Sequence, residues 1–193
     1  MYSSSGGEPG STGSADGTRR HRSTGLTNGI RAIVTGGARG LGYAIVERLV
    51  AEGASVAILA LHAESVDNAV AKLGADPSRV MGLVADVSQE EAIRVAVAQT
   101  VAAFGHLDIM VNNAGSIVIS PLVDLTTGDW DRLVDVNLRG VFLGCREAAR
   151  HMIPRGRGGR IINGASGAGR RGGSLISAYA ATKAGVIGLT QSL

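Results

Sequence analysis

The strongest constraint on the fold is an alternation. From Ile30 onward, short runs that are apolar throughout take turns with amphipathic stretches. "RAIVTGG", "ASVAILAL", "VMGLVADV", "LDIMVNNAG" and "GRIINGAS" read as strands. Between and after them, "LGYAIVERLVAEG", "AESVDNAVAKLG", "SQEEAIRVAVAQTVAAFG", a long stretch from about Asp129 to Met152, and "SAYAATKAGVIGLTQSL" read as helices. Strands apolar on both faces must be covered on both, and the intervening helices supply the cover. The expected fold is therefore α/β, a doubly wound parallel sheet of five strands. Leu41, Ile45 and Leu49 are expected on the buried face of the first helix, and Ser88 with Glu91 as a capping box for the third. Val134, Leu138, Val141, Cys145, Ala148 and Met152 form an apolar stripe on the long helix, either as core or as contact with another copy of the chain.

Composition narrows the function classes. At 193 residues with 45% hydrophobic side chains, the chain suffices for one domain with a sizeable core, and no apolar run reaches membrane-spanning length. Aromatic residues make up 3%, too few to stack nucleic-acid bases. Neither nucleic acid nor a membrane is expected as a partner, and no metal-ligand cluster is evident. The single cysteine, Cys145, has no disulfide partner in the chain, which fits a reducing cytoplasm. Residues 1–29 are Gly/Ser-rich with almost no apolar residue, so a disordered tail is expected there, with residues 30–193 as the folded domain. The tail lacks the apolar h-region of a signal peptide. Eight arginines between Arg139 and Arg171 form either a solvated face or a surface for an acidic ligand.

In doubly wound sheets, ligands bind beyond the carboxyl ends of the strands, and the motifs fall there. "TGGARGLG" ends the first strand: Gly36, Gly40 and Gly42 allow a tight turn and close approach of a pyrophosphate, with Arg39 and Leu41 between them. The helix that follows offers free N–H groups and the positive end of its dipole. Asp86, followed by Val87, ends the third strand, placed either to accept from an adenine amino group or to cap local N–H groups. "NNAG" ends the fourth, where Asn113 can tie neighbouring strands while Ala114 and Gly115 let a cofactor lie close. Ser166 ends the fifth strand thirteen residues before Tyr179, and Lys183 follows Tyr179 by one helical turn. A nearby ammonium favours the phenolate, which is how a tyrosine becomes a usable acid or base.

This set resembles the short-chain dehydrogenase/reductase family in its common Rossmann-type form, over residues 26–193. TGxxxGxG, NNAG and a serine thirteen residues before YxxxK are the family's defining motifs. The resemblance implies a hydride transfer between NAD or NADP and an alcohol or carbonyl substrate. It implies that Tyr179 is the acid/base, that Lys183 tunes it and holds the nicotinamide ribose, and that Ser166 orients the carbonyl. It also implies that Asn137, in "DVNLRGVF", positions a water of the proton relay. A homo-oligomer, dimer or tetramer, is implied for the full-length protein. The stretch "YAATKAGVIGLTQSL" looks like that of 3-oxoacyl-[acyl-carrier-protein] reductases, although sugar, steroid and alcohol dehydrogenases share it.

Two departures and one basic pair stand out. NAD-binding sheets of this type usually end the second strand with an acid for the ribose 2′-hydroxyl, and here Ala60 and Leu61 fall in its place. Arg39 can attract a 2′-phosphate, yet no basic residue stands at the strand end, so the choice between NAD and NADP is open. Arg170 and Arg171, in the loop after Ser166, are either a solvated pair or a contact for an anionic substrate. Family members continue through the last helix into two further strands, so the chain is expected to be C-terminally truncated, five strands of seven, and inactive alone.

Overall fold

The computed structural model describes residues 25 and 27–193. The tail expected over residues 1–29 lies outside the described residues, apart from Gly25 and Thr27–Gly29. Thr27 is bonded to the end of the first helix: its N–H donates to Glu52 O at 3.2 Å and its hydroxyl to Leu49 O at 3.2 Å.

Five strands form one parallel sheet: β1 Arg31–Thr35, β2 Ser55–Ala60, β3 Val80–Val84, β4 Ile109–Asn112 and β5 Arg160–Asn163. Their order is β3-β2-β1-β4-β5. The chain winds outward from β1 in both directions, so the crevice at the topological switch opens between the carboxyl ends of β1 and β4. In register, Ile33 lies beside Ala57 and Met110, all fully buried, as expected of strands covered on both faces. The edge strands are less covered: Val84 of β3 and Ile162 of β5 are more than half exposed.

The helices are α1 Gly40–Ala51, α2 Ala63–Leu73, α3 Glu90–Phe104, α4 Thr127–Val134, α5 Gly140–Arg155, α6 Ala168–Arg171 and α7 Ser177–Gln191. One apolar cluster, with Ile33, Leu59, Ile93, Met110 and Leu143, lies between the sheet and α3 and α5. Another, with Val34, Tyr43, Val46, Ile58 and Val111, lies between the sheet and α1 and α2.

Three local expectations are corrected. The buried face of α1 is Gly42, Tyr43 and Val46, whereas Ile45 and Leu49 are half-buried and Leu41 is 72% exposed. Leu41 stands at the mouth of the crevice and outside the core. The capping box does not form. Asp86 Oδ1 accepts from both the N–H and the hydroxyl of Ser88, at 2.9 and 2.8 Å, and Glu91 pairs with Arg94, so Gln89 stands at the α3 N-cap with no side-chain bond to the helix's N–H groups. The long helix is interrupted by a π-helical segment, Asp135–Arg139, joining α4 to α5. Its extra residue turns Leu133 and Asn137, both fully buried, inward above Val141, so Val134 and Leu138 sit only partly buried. The lower stripe is core: Val141 and Cys145 pack with Val186 of α7 within the chain.

Candidate active site

The glycine loop is set by backbone demands. Gly36 and Gly40 have φ of +63° and +54°, a region that L side chains rarely enter. A Cβ at Gly36 would stand 2.9 Å from Ala114 Cα. At Gly42 it would be driven into the carbonyl oxygen of Gly36, so α1 begins directly against the loop. Arg39 caps α1 without a side-chain hydrogen bond and the first turn carries no acid, leaving this helix start open to phosphate oxygens.

The facing wall is pinned to the loop. Thr35 Oγ1 accepts from the N–H groups of Asn113 and Ala114, each at 3.0 Å, and donates to Val111 O at 3.3 Å. Asn113 Nδ2 returns bonds to the carbonyls of Thr35 and Gly36, at 3.0 and 3.3 Å. The ends of β1 and β4 are thus held in fixed register, as expected of Asn113.

Between these walls runs a cleft of about 650 Å³. Gly36, Arg39, Gly40, Leu41, Gly42, Asp86, Val87, Asn113, Ala114 and Gly115, ten of the residues expected to bind cofactor, all line it. A smaller cleft of about 280 Å³ continues it past Leu41, Asn113, Gly115 and Ser116 to Tyr179 and Lys183, which complete that expected set. Sequence reasoning missed His62, Ser65, Ser116, Arg132 and Val136, which also line the larger cleft. None carries a motif, and only the fold brings them there. Asp86 caps one local N–H, that of Ser88, through Oδ1 while also lining the cleft.

Tyr179 and Lys183 share one face of α7. The Lys183 ammonium is buried, lies 5.8 Å from the centre of the Tyr179 ring and donates to Gly164 O at 2.5 Å. Burial holds the Lys183 ammonium below the ordinary lysine value, and no carboxylate among the described residues compensates it. Gly115 lies against both groups: a Cβ there would crowd Asn137 Oδ1, at 3.2 Å, and touch Lys183 Nζ at 3.7 Å.

Asn137 and Ser166 line neither cleft. Asn137 clamps the loop after β4: Oδ1 accepts from Ser116 N at 2.8 Å, and Nδ2 donates to Ser116 O at 2.9 Å and Thr182 Oγ1 at 3.2 Å. With both amide hydrogens used, its side chain has no donor left for a water. Ser166, half-buried, accepts from Ala168 N at 3.2 Å and so starts α6, whose Gly169 packs on the Lys183 backbone. Arg170 and Arg171 sit exposed at the end of α6, outside both clefts. The Cys145 thiol is buried between Asn112 and Asn163, and burial pushes it up from the ordinary thiol value, so it is no nucleophile. No group of three or more candidate metal ligands occurs among the described residues, and no helix among them is long and apolar enough to cross a membrane.

The family model for short chain dehydrogenase matches residues 31–193. The chain belongs to the short-chain dehydrogenase family. Among its relatives is the sorbitol dehydrogenase of Cereibacter sphaeroides, 42% identical over 86% of this chain and 63% of that protein. Galactitol 2-dehydrogenase of Agrobacterium fabrum is 38% identical, covering 83% of this chain and 62% of its own. A solved short-chain dehydrogenase from Novosphingobium aromaticivorans superposes with a TM-score of 0.83 at 36% identity, over 86% of this chain and 63% of that one. The chain thus spans a little under two thirds of the length of these short-chain dehydrogenases. The names of these relatives do not support a special likeness to 3-oxoacyl-[acyl-carrier-protein] reductases.

Proposed function

We propose that the protein is an NAD(P)-dependent oxidoreductase acting on a hydroxyl or carbonyl group. The observation that carries this reading is the continuity of the glycine cleft with the pocket holding Tyr179 and a buried, uncompensated Lys183. The residues present fit a dinucleotide: glycines where a Cβ would block the approach, an open helix start for the pyrophosphate and a second pocket beyond Gly115 for the nicotinamide end. When bound, the nicotinamide supplies or accepts the hydride.

The chain's own residues would handle the proton and the orientation. Tyr179 gives its hydroxyl proton to the substrate oxygen in reduction and takes one from the alcohol in oxidation. Lys183 provides a fixed positive charge beside it, held in place by the Gly164 carbonyl. Asn137 contributes through the loop it clamps, and Ser166 through the short helix it starts and the carbonyl it would orient.

The substrate class that best suits the relatives' names is a polyol or its keto form. For the cofactor we favour acceptance of a 2′-phosphate: the cleft wall at the end of β2 is Ala60, Leu61, His62 and Ser65, with no carboxylate to repel it and Arg39 available to attract it. Fluorescence titration with NADH and NADPH tests both points. NADPH is expected to bind at least as tightly as NADH, and adenosine 2′,5′-bisphosphate to displace it better than AMP. Binding of NADH alone contradicts the cofactor preference, and binding of neither contradicts the whole reading.

A cytoplasmic enzyme fits the single buried thiol. A homo-oligomer fits the outer face of α5, where Phe142 and Ile153 are exposed, and light scattering showing only monomer would contradict it.

A further inference from the structure

We propose that Thr182 is a positioning residue, its buried hydroxyl locking the turn of α7 that carries Tyr179 and Lys183 to the π-helical segment at Asn137. The proposal rests on the oxidoreductase reading of Tyr179 and Lys183.

The argument is one of hydrogen-bond accounting. Asn137 is fully buried, and the N–H and carbonyl of Ser116 fix its amide orientation, because a flipped amide would set N–H against N–H. Its remaining hydrogen therefore faces α7 and requires an acceptor there. Thr182 Oγ1 accepts it at 3.2 Å and at the same time donates to Tyr179 O at 2.8 Å. Only a hydroxyl can do both in so small a space, and Thr182 itself is 2% exposed. The rest of the contact between these elements is apolar, with Gly185 of α7 seated on the Leu138 side chain. Apolar packing resists separation but tolerates sliding, whereas a directional bond does not.

Position makes this bond matter to the site. Thr182 is three residues after Tyr179 and adjacent to Lys183 in sequence. A small slide or rotation of α7 would carry the Lys183 ammonium off the Gly164 carbonyl and away from Gly115. Through Asn137, the same hydroxyl is coupled to the backbone of Ser116, which lines both clefts. One group thus sets the cleft wall and the Tyr–Lys pair in a single register.

The chain has two lysines, Lys72 and Lys183, so NMR of lysine-labelled protein follows each separately, with Lys72 as internal reference. T182V keeps the shape and removes the hydroxyl. It is expected to let water reach Lys183 and move its titration midpoint up by about half a pH unit, and to weaken NADH binding about three- to tenfold. T182S, which restores the hydroxyl, is expected to recover both. A lowered Tm with the Lys183 midpoint unmoved overturns the proposal, as does T182S behaving like T182V. Should T182V fail to fold, T182A in the same titration decides, with the same expected and contrary results. The lysine titration needs no nucleotide: if the unsubstituted protein binds no NADH, the oxidoreductase reading fails while the response of Lys183 still decides the role of Thr182.

Discussion

The Lys183 ammonium is anchored on the carbonyl of Gly164, at 2.5 Å, and Gly164 is itself tied to β4 by its own N–H, which donates to Asn112 O at 2.8 Å. A buried cation is thus held by a neutral dipole that the sheet positions. Such an arrangement costs stability, since desolvation is not offset by a counter-charge. Lys183→Met is therefore expected to leave the urea midpoint unchanged or raised, while weakening NADH binding about tenfold. A protein that is destabilised yet binds NADH normally would show that Lys183 serves the fold and not the site.

The glycine loop gives the opposite trade. Gly42→Ala puts a methyl into the Gly36 carbonyl, a backbone atom that cannot yield, and should cost about 1–3 kcal/mol of stability. Displacing the start of α1 should also remove the phosphate site, so NADPH titration is expected to show no saturable binding. Normal affinity in the variant would mean that α1 does not hold the pyrophosphate.

The end of the sheet away from the cleft carries a pH response. His151 Nε2 accepts the N–H of Leu107 at 3.2 Å, joining α5 to the start of β4, and only the neutral ring can do so. Burial first, then the nearby charges of Arg155 and His106, lower its proton affinity below the ordinary histidine value of 6.5, with Asp108 opposing. The unfolded chain therefore binds this proton at higher pH than the folded one. The stabilisation is complete above the unfolded value and is lost as pH falls from there through the folded value. Urea midpoints measured between about pH 7 and pH 5 should decline, and His151→Gln, which can still accept from Leu107 but does not titrate, should flatten the decline. An identical decline in H151Q would assign it to other groups.

Much of this was legible in the sequence because it depends on local patterns. The apolar runs gave five parallel strands, the glycines of TGGARGLG gave the loop, and the four-residue spacing placed Tyr179 and Lys183 on one face. What escaped depends on competition or on three-dimensional neighbours. Ser88 could not cap α3 because Asp86, two residues earlier, took its hydroxyl. A period of 3.6 misassigned Val134 because the π-helical segment inserts a residue before Asn137. Leu41 falls on the core face by periodicity because apolar residues at a cleft mouth look the same in sequence as buried ones. His62, Ser65 and Arg132 have no spacing signal at all, since only the winding of β2 and α4 around the cleft brings them together. The clamp role of Asn137 was hidden for the same reason: Ser116 and Thr182 lie 21 and 45 residues away along the chain.

The proposed proton transfer by Tyr179 is checked by following nicotinamide absorbance with sorbitol and galactitol, in the protein and in its Tyr179→Phe variant, alongside NADPH titration of both. The substitution removes one oxygen and keeps the ring, so NADPH affinity should stay within about twofold while turnover falls by about a hundredfold or more. Comparable turnover in the variant and the parent would contradict the assignment.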